Sequence, residues 1–231
     1  MLSNSRPYTA KMETSDYRMP YREYAAAIFE LDEEGIPVIQ ARIAEWLGVS
    51  RPSVSEMVKR MVDDGLVTVE PTLQLTEEGR HLAEVVVRRH RLAERFLSEV
   101  LGLPWVKVHA EAEVWEHVIS DDVEAGMWEA LDNPQTCPHG NPIPGAGYKP
   151  PPIQALSTLD PGEARPLERI SEELELDAEI MGFLDESGFR PGAVLTVTNA
   201  GNDGTLTVAA DGQAGVGLVP FIAERLFVAT T

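Results

Sequence analysis

Apolar positions recur at helical spacing through the first 130 residues and give way to alternation near the C-terminus. In YREYAAAIFELDEE, Tyr24, Ala27, Ile28 and Leu31 fall three or four apart, which predicts a helix over Tyr21–Glu34 stopped by Gly35. Ile39, Ile43 and Leu47 predict a second helix over Val38–Leu47. Gly48-Val49-Ser50 is a turn, and Ser50 is placed to cap a third helix over Arg51–Asp64. Pro52 sits in its first turn, where a missing N–H costs little, and Val54, Met57, Val58 and Met61 form its apolar face. Leu66–Glu70 and Thr72–Leu75 alternate around Pro71 and predict a small hairpin. Two helices joined by a tight turn and followed by a hairpin read as a winged helix-turn-helix. The competing reading is a plain helical hairpin in a core.

A long helix is predicted over Thr76–Glu99, with Leu82, Val85, Val86, Leu92, Phe96 and Leu97 along it. Gly102-Leu103-Pro104 breaks the chain, a helix follows from about Val106 to Ser120, and Ser120-Asp121-Asp122 opens another through Leu131. Asn133–Pro152 holds seven prolines and three glycines, too many for regular structure, and reads as a partly extended linker. Ile170, Leu174, Ile180, Phe183 and Leu184 predict an acidic amphipathic helix over Leu167–Glu186. Strands are predicted at Ala193–Asn199, Gly204–Ala209, Gly215–Val219 and Leu226–Ala229, with Gly201–Gly204 and Asp211-Gly212 as hairpin turns. Strands this closely spaced suggest a small barrel.

Composition changes this picture in two respects. The formal net charge of −19 argues against bulk electrostatic attachment to nucleic acid, so a DNA reader here needs its repulsion reduced, as bound divalent cations would do. One cysteine, Cys137, excludes an intrachain disulfide. No apolar run is long enough to span a membrane, and the first 20 residues lack the apolar core of a signal peptide, so a flexible arm and the cytoplasm are expected.

The candidate chemistry lies in HAEAEVWEH. On a helix, His109, Glu113, Glu116 and His117 share one stripe, a nitrogen and oxygen ligand set for a divalent ion. The stretch alone fits a salt-bridged surface helix equally well. His90 and Glu94 stand one turn apart on the preceding helix, where a surface contact is the plain alternative. Cys137 and His139 form a C-x-H pair with too few ligands by itself, and are expected to be structural or incidental.

Taken together, these motifs resemble the diphtheria toxin repressor family of metal-dependent transcription regulators. ARIAEWLGVSRPSVSEMVKRMVDDGLV resembles its DNA-reading unit and LTEEGRHLAEVVVRRHRLAERFL its connecting helix. GLPWVKVHAEAEVWEHVISDDVE resembles its metal and dimerisation segment, and NPQTCPHGNPIPG its proline-rich boundary. The resemblance implies an α+β chain: an arm over 1–20, a winged helix-turn-helix over 21–80, an all-α metal-binding and dimerisation domain over 81–145, a linker over 146–160 and an SH3-like barrel over 161–231. It also implies a cytoplasmic homodimer that binds double-stranded operator DNA when metal-loaded, represses metal-uptake genes, and has no membrane partner.

Carried onto this chain, the family's primary metal site falls on Glu23, Glu113, Glu116 and His117. Its ancillary site falls on His90, Glu94 and His109, completed from the C-terminal domain by Glu179, with Glu175 and Asp177 as rivals. DNA contacts are implied for Gln40, Ala41, Ser50, Arg51, Pro52, Ser53, Ser55, Glu56, Lys59 and Arg60. Iron-type members place methionine and cysteine where Glu23 and Glu113 stand, and hard oxygens in place of soft sulfurs favour Mn²⁺. Fe²⁺ remains an alternative, as does a metal-independent winged-helix regulator, and Co²⁺, Cd²⁺ or Zn²⁺ are expected to substitute in vitro. Ala26 stands where some manganese regulators carry a second carboxylate, so two separated sites are expected rather than a bridged cluster. An enzyme is disfavoured: EVWEH is similar to a zinc-hydrolase pattern, but Glu113 replaces its first histidine and no nucleophile motif is present.

Overall fold

The computed structural model describes residues 19–70 and 72–230, and most of the expected N-terminal arm lies outside them. The chain forms two compact units that divide at Val85. The expected helical and barrel domains therefore belong to one compact unit.

In the first unit, α1 (Met19–Glu33) begins two residues before the predicted start. Helix α2 (Gln40–Trp46) and helix α3 (Arg51–Asp63) follow. Val38 and Ile39 stay outside α2, because Ile39 takes the extended N-cap conformation two residues after Pro37. Ser50 caps α3 as expected, its Oγ accepting from the Ser53 N–H at 3.3 Å. The wing is shorter than predicted: β1 (Val67–Thr68) pairs antiparallel with β2 (Gln74–Leu75). Ile28, Leu31, Ile43, Val54, Met61 and Leu66 form the core of this unit.

Helix α4 (Glu77–Glu99) is capped by Thr76, whose Oγ1 accepts from the Gly79 N–H at 3.1 Å. Gly79 admits no side chain, since a Cβ there would stand 2.0 Å from the Leu66 carbonyl oxygen. Gly79→Ala is expected to destabilise the first unit by about 1–3 kcal/mol or more, read by thermal denaturation, because backbone rather than a flexible side chain must move.

The second unit continues with α5 (Trp105–Trp115) and α6 (Asp121–Ala130), the latter capped by Ser120. Helix α5 ends earlier than predicted. Glu116 is its C-cap, and His117 lies in the turn beyond. Residues 133–152 have no regular structure, yet they are not a free linker. Cys137, His139, Asn141 and Ile143 are buried, and the Cys137 N–H donates to the Asn141 carbonyl at 2.9 Å to close a tight turn. Strand β3 (Ile153–Ala155) and a short 3₁₀ turn then occupy the expected 146–160 linker.

The helix expected over Leu167–Glu186 is three elements. Strand β4 (Ala164–Ile170) is followed by α7 (Glu172–Glu175) and α8 (Ala178–Glu186). Leu167 and Ile170 are spaced as on a helix but pair with Val228 and Leu226 of the last strand. Sheet pairing has overridden the local period. Ser171 and Asp177 cap the two helices. Strands β5 (Val194–Ala200), β6 (Leu206–Ala210), β7 (Val216–Leu218) and β8 (Leu226–Ala229) lie close to their predicted positions, and short helix α9 (Pro220–Ala223) precedes β8. The six strands form an antiparallel sheet in the order β3-β8-β4-β5-β6-β7, the SH3-like domain. Trp105 of α5 packs into its core with Leu167, Leu174, Leu184 and Phe189, so this domain is seated directly on the metal-segment helix. No helix among the described residues is long and apolar enough to cross a membrane.

Candidate metal centre

Four segments of the second unit converge on one buried point. His90 and Glu94 come from α4, His109 from α5, Cys137 and His139 from the tight turn, and Glu172 and Glu175 from α7. The geometry around Glu94 is the densest. Its Oε1 lies 3.4 Å from His90 Nε2, His109 Nδ1 and His139 Nδ1. His90 Nε2 and His109 Nδ1 are 3.2 Å apart, and Glu172 Oε1 stands 3.6 Å and 3.9 Å from them. Ligands held about 2.1 Å from a tetrahedral ion stand about 3.4 Å apart, and His90, His109 and Glu172 form one group of donor atoms within 4.8 Å of one another, as do Glu94, His109 and Glu175. Both Glu94 oxygens are buried and make no hydrogen bond. Orphaned buried carboxylate oxygens facing ring nitrogens are what a cation site needs and a packed core avoids. The residues present fit a divalent metal.

The surrounding contacts orient the donors. The Nδ1–H of His90 donates to Glu116 Oε2 at 2.7 Å, which leaves Nε2 for the centre. Asn141 Nδ2 donates to Glu175 Oε1 at 2.7 Å and to the Ile170 carbonyl at 3.0 Å. The indole of Trp105 lies against His139 in a tilted arrangement, with ring centres 4.7 Å apart. Arg91, fully buried, donates through Nη1 to the Pro142 carbonyl at 2.6 Å and through Nη2 to Glu172 Oε2 at 3.1 Å.

Charge is redistributed accordingly. Burial alone favours neutral imidazoles, but Glu94 and Glu116 outweigh it at His90, and Glu175 and Glu94 do so at His139; both rings are held well above the usual range. At His109 burial is outweighed by Glu175 and Glu94, and the ring is pushed up to about 10. Burial would raise Glu94, but His139 and His90 hold it well below the usual carboxylate range. Glu175 goes the other way, to about 7, through burial and the neighbouring Glu94. Burial, followed by Glu94 and Glu175, pushes the Cys137 thiol up to about 12.

The expected ligands divide as follows. His90, Glu94 and His109 are brought together. Glu179 is exposed on the first turn of α8, and the carboxylates that meet the imidazoles are Glu172 and Glu175 of α7. The reason is the break at Ser171, which starts a separate short helix and turns its first-turn glutamates inward. Of the two rivals, Glu175 faces the centre, while Asp177 is the exposed N-cap of α8. Cys137 and His139, expected to be structural or incidental, are buried against the same centre. With Glu94 they place three ligand atoms within 4.8 Å of one another. The sequence signal was there in the C-x-H spacing, but their partners come from 40 residues away on each side.

In the other ligand set, Glu116 Oε1 lies 3.6 Å from His117 Nε2, and the buried His117 Nδ1 has no hydrogen-bond partner. Glu113 is exposed, its Oε1 3.8 Å from His109 Nε2. The single helical stripe is thus broken at its end, because α5 stops at Trp115 and Glu116 swings to His90. In the first unit, Glu23 is half-buried on α1. The expected DNA-contacting residues of α2 and α3 are exposed apart from half-buried Ala41. Arg60 pairs with Glu56 one turn earlier, both side chains remaining exposed.

Residues 21–75 match the family described as iron dependent repressor, N-terminal DNA binding domain. Residues 76–145 match the iron dependent repressor, metal binding and dimerisation domain. The chain is 43% identical over 208 residues to the iron-dependent repressor IdeR of Mycobacterium tuberculosis, covering 84% of this chain and 90% of that protein. It is 41% identical over 196 residues to the diphtheria toxin repressor of Corynebacterium jeikeium, covering 74% and 82%. Among solved structures, a manganese-dependent transcriptional repressor in complex with manganese superposes with a TM-score of 0.82 at 33% identity, covering 91% of this chain and 100% of that one.

Proposed function

The chain belongs to the diphtheria toxin repressor family of metal-dependent repressors, which are not enzymes, and from that premise we propose that it represses metal-uptake genes in the cytoplasm by binding operator DNA as a Mn²⁺-loaded homodimer. The observation that carries this reading is the buried cluster of three imidazoles and three carboxylates, with Glu94 unbonded at its middle. The carboxylate oxygens suit Mn²⁺ while the imidazoles also suit Fe²⁺ and Zn²⁺, and Glu113 adds a further hard oxygen where iron-type members carry sulfur. The solved structure with the 0.82 TM-score is titled a manganese repressor, whereas the curated relatives at 41–43% identity include proteins named iron-dependent, so Fe²⁺ is the second reading. By the general affinity order Fe²⁺ binds such donors at least as tightly, and availability then decides between the two.

A bound ion supplies positive charge at a point where three carboxylates otherwise repel one another. The protein's own part is to present His90 through Nε2 by fixing its Nδ1–H on Glu116, and to draw α4, α5, the 137–141 turn and α7 to one place. Metal favours that arrangement only by binding it better than the alternatives. Val114, Val118 and Val123, exposed in the segment matched by the dimerisation family, are an apolar surface for the second subunit. On DNA, exposed Ser50, Arg51, Pro52, Ser53, Ser55 and Lys59 of the capped helix start and its outer face offer short polar and apolar contacts for the major groove.

The test is a gel shift on the DNA upstream of the chain's own gene and on a metal-transporter promoter, with and without Mn²⁺. Retardation only in the metal lanes is expected, and Glu113→Ala or His117→Ala is expected to abolish that difference while circular dichroism stays unchanged. Equal retardation in both lanes refutes the metal switch, and Fe²⁺ acting under reducing conditions where Mn²⁺ does not would select the iron reading.

A further inference from the structure

Helix α1 is tied to the rest of the first unit by polar contacts near both of its ends. Towards its C-terminus, Glu30 accepts from the Trp46 indole N–H of α2 at 3.2 Å, and Asp32 pairs with Arg80 of α4 at 3.3 Å. In its first turn, the Tyr21 hydroxyl donates to Asp64 Oδ2 at 2.5 Å, across 43 residues of sequence. Asp64 is the C-cap of α3, with its own N–H on the Arg60 carbonyl at 2.9 Å. The Tyr21 ring packs against the core of the unit while its hydroxyl reaches α3.

We propose that Tyr21 is a positioning residue that carries the metal response from α1 to the DNA-facing helix α3 through its hydrogen bond to Asp64. This rests on the metal-dependent reading above with Glu23 as a ligand, and it deepens that reading by naming the contact through which α3 is set.

Three observations support it. Glu23 stands two residues after Tyr21, and side chains at that spacing point to different faces of a helix, so one serves the ion while the other serves α3. An ion drawing on Glu23 therefore displaces the same turn that carries the Tyr21 hydroxyl. Secondly, a carboxylate at the end of a helix meets the negative end of its dipole, so Asp64 is poorly placed without a donor, and the Tyr21 hydroxyl is such a donor. Thirdly, the end of α3 is held on its other side as well. The Leu66 N–H donates to the Met61 carbonyl at 2.8 Å, and Thr76 Oγ1 donates to the Gly65 carbonyl at 2.7 Å. Packed along its length through Val54, Val58 and Met61, α3 moves as one body about 20 Å long. A shift at Asp64 is then returned at residues 50–55, the start of the helix offered to DNA, since coupling is carried by rigid elements and the contacts that join them.

The affinity of the full chain for the duplex retarded in the gel shift above is measured by fluorescence anisotropy, in Mn²⁺ and in chelator. The ratio of the two affinities is the coupling between metal and DNA. Tyr21→Phe keeps the packed ring and removes the hydroxyl alone; it is expected to lower that ratio by about 2- to 30-fold, through weaker binding in Mn²⁺ with the chelator value unchanged. Asp64→Ala is expected to lower the ratio by a similar factor, and the double variant no further than either single, as residues acting through one contact do. Removing the Asp64 charge strengthens binding to DNA in both conditions together and so leaves the ratio to report the hydrogen bond. Circular dichroism checks that each variant keeps its fold. A wild-type ratio in Tyr21→Phe, equal weakening in Mn²⁺ and in chelator, or additive losses in the double variant overturns the coupling role of Tyr21 and leaves the metal-dependent regulator standing. A wild-type chain whose DNA affinity ignores Mn²⁺ removes both.

Discussion

Arg91→Ala is expected to cost the metal-free protein about 3–5 kcal/mol of stability, more than any surface substitution. The guanidinium is fully buried, and it carries the only positive charge among these contacts that does not depend on protonation. Removing it strands Glu172 without its guanidinium partner beside Glu94 and Glu175, and leaves the Pro142 carbonyl without its donor. A buried carboxylate that loses its hydrogen-bonded partner costs more than the ion pair contributes, because its hydration is not replaced. Metal changes the sum. Without metal the imidazoles of His90 and His109 face Glu172; with metal in the centre a cation that does not depend on protonation faces it, so the loss is expected to shrink in saturating Mn²⁺. Urea denaturation with Mn²⁺ and with chelator checks this, and an equal loss under both conditions would separate Arg91 from the charge balance of the centre.

The second large effect is a reversal of pH dependence by metal. In chelator, stability is expected to fall as pH rises from about 6.5 toward 10, by on the order of 2–5 kcal/mol. The sign follows from the imidazoles. His109 is pushed up to about 10, so its contribution is complete below the unfolded value of 6.5 and disappears as pH rises through the folded value. His90 and His139 are raised too and act in the same direction. Glu175, raised to about 7, adds to the decline at the lower end of the window, and Cys137, raised to about 12, at the upper end. Glu94 is held low, so its contribution is constant here and is lost only as pH falls through the carboxylate range. In saturating metal the slope is expected to invert over about pH 6 to 8.5, because each ligating nitrogen must give up its proton and affinity rises as protons become scarce. Melting temperatures across this range, with Mn²⁺ and with chelator, test it. Parallel curves would show that these imidazoles do not bind the metal.

Most of the fold was legible because its helices are amphipathic and punctuated. Gly35, Ser50, Gly65 and Ser120 mark starts and stops through backbone freedom and side-chain capping, which are local effects. Strands β5 to β8 were legible for a similar reason, since glycine and aspartate turns bound short valine-rich runs. Strand β4 was not. Leu167, Ile170 and Leu174 satisfy a helical period, and only pairing with β5 and β8 shows that the first two are on a strand. Ser171 and Asp177, two capping residues six apart, were the available clue that one helix was really two.

The sequence by itself determined which residue types are available to hold a metal. It held the HAEAEVWEH segment, the His90–Glu94 pair and the C-x-H turn, because ligand chemistry is a property of side chains and helical spacing a property of neighbours. Tertiary structure decided how they group. The end of α5 at Trp115 sends Glu116 to His90, the break at Ser171 turns Glu172 and Glu175 inward in place of Glu179, and burial of the 137–141 turn sets Cys137 and His139 against Glu94. Each of these depends on segments tens of residues apart meeting in a low-dielectric interior. There a carboxylate without a partner is expensive, and so the packing that brings donors together also selects the cations that can hold them.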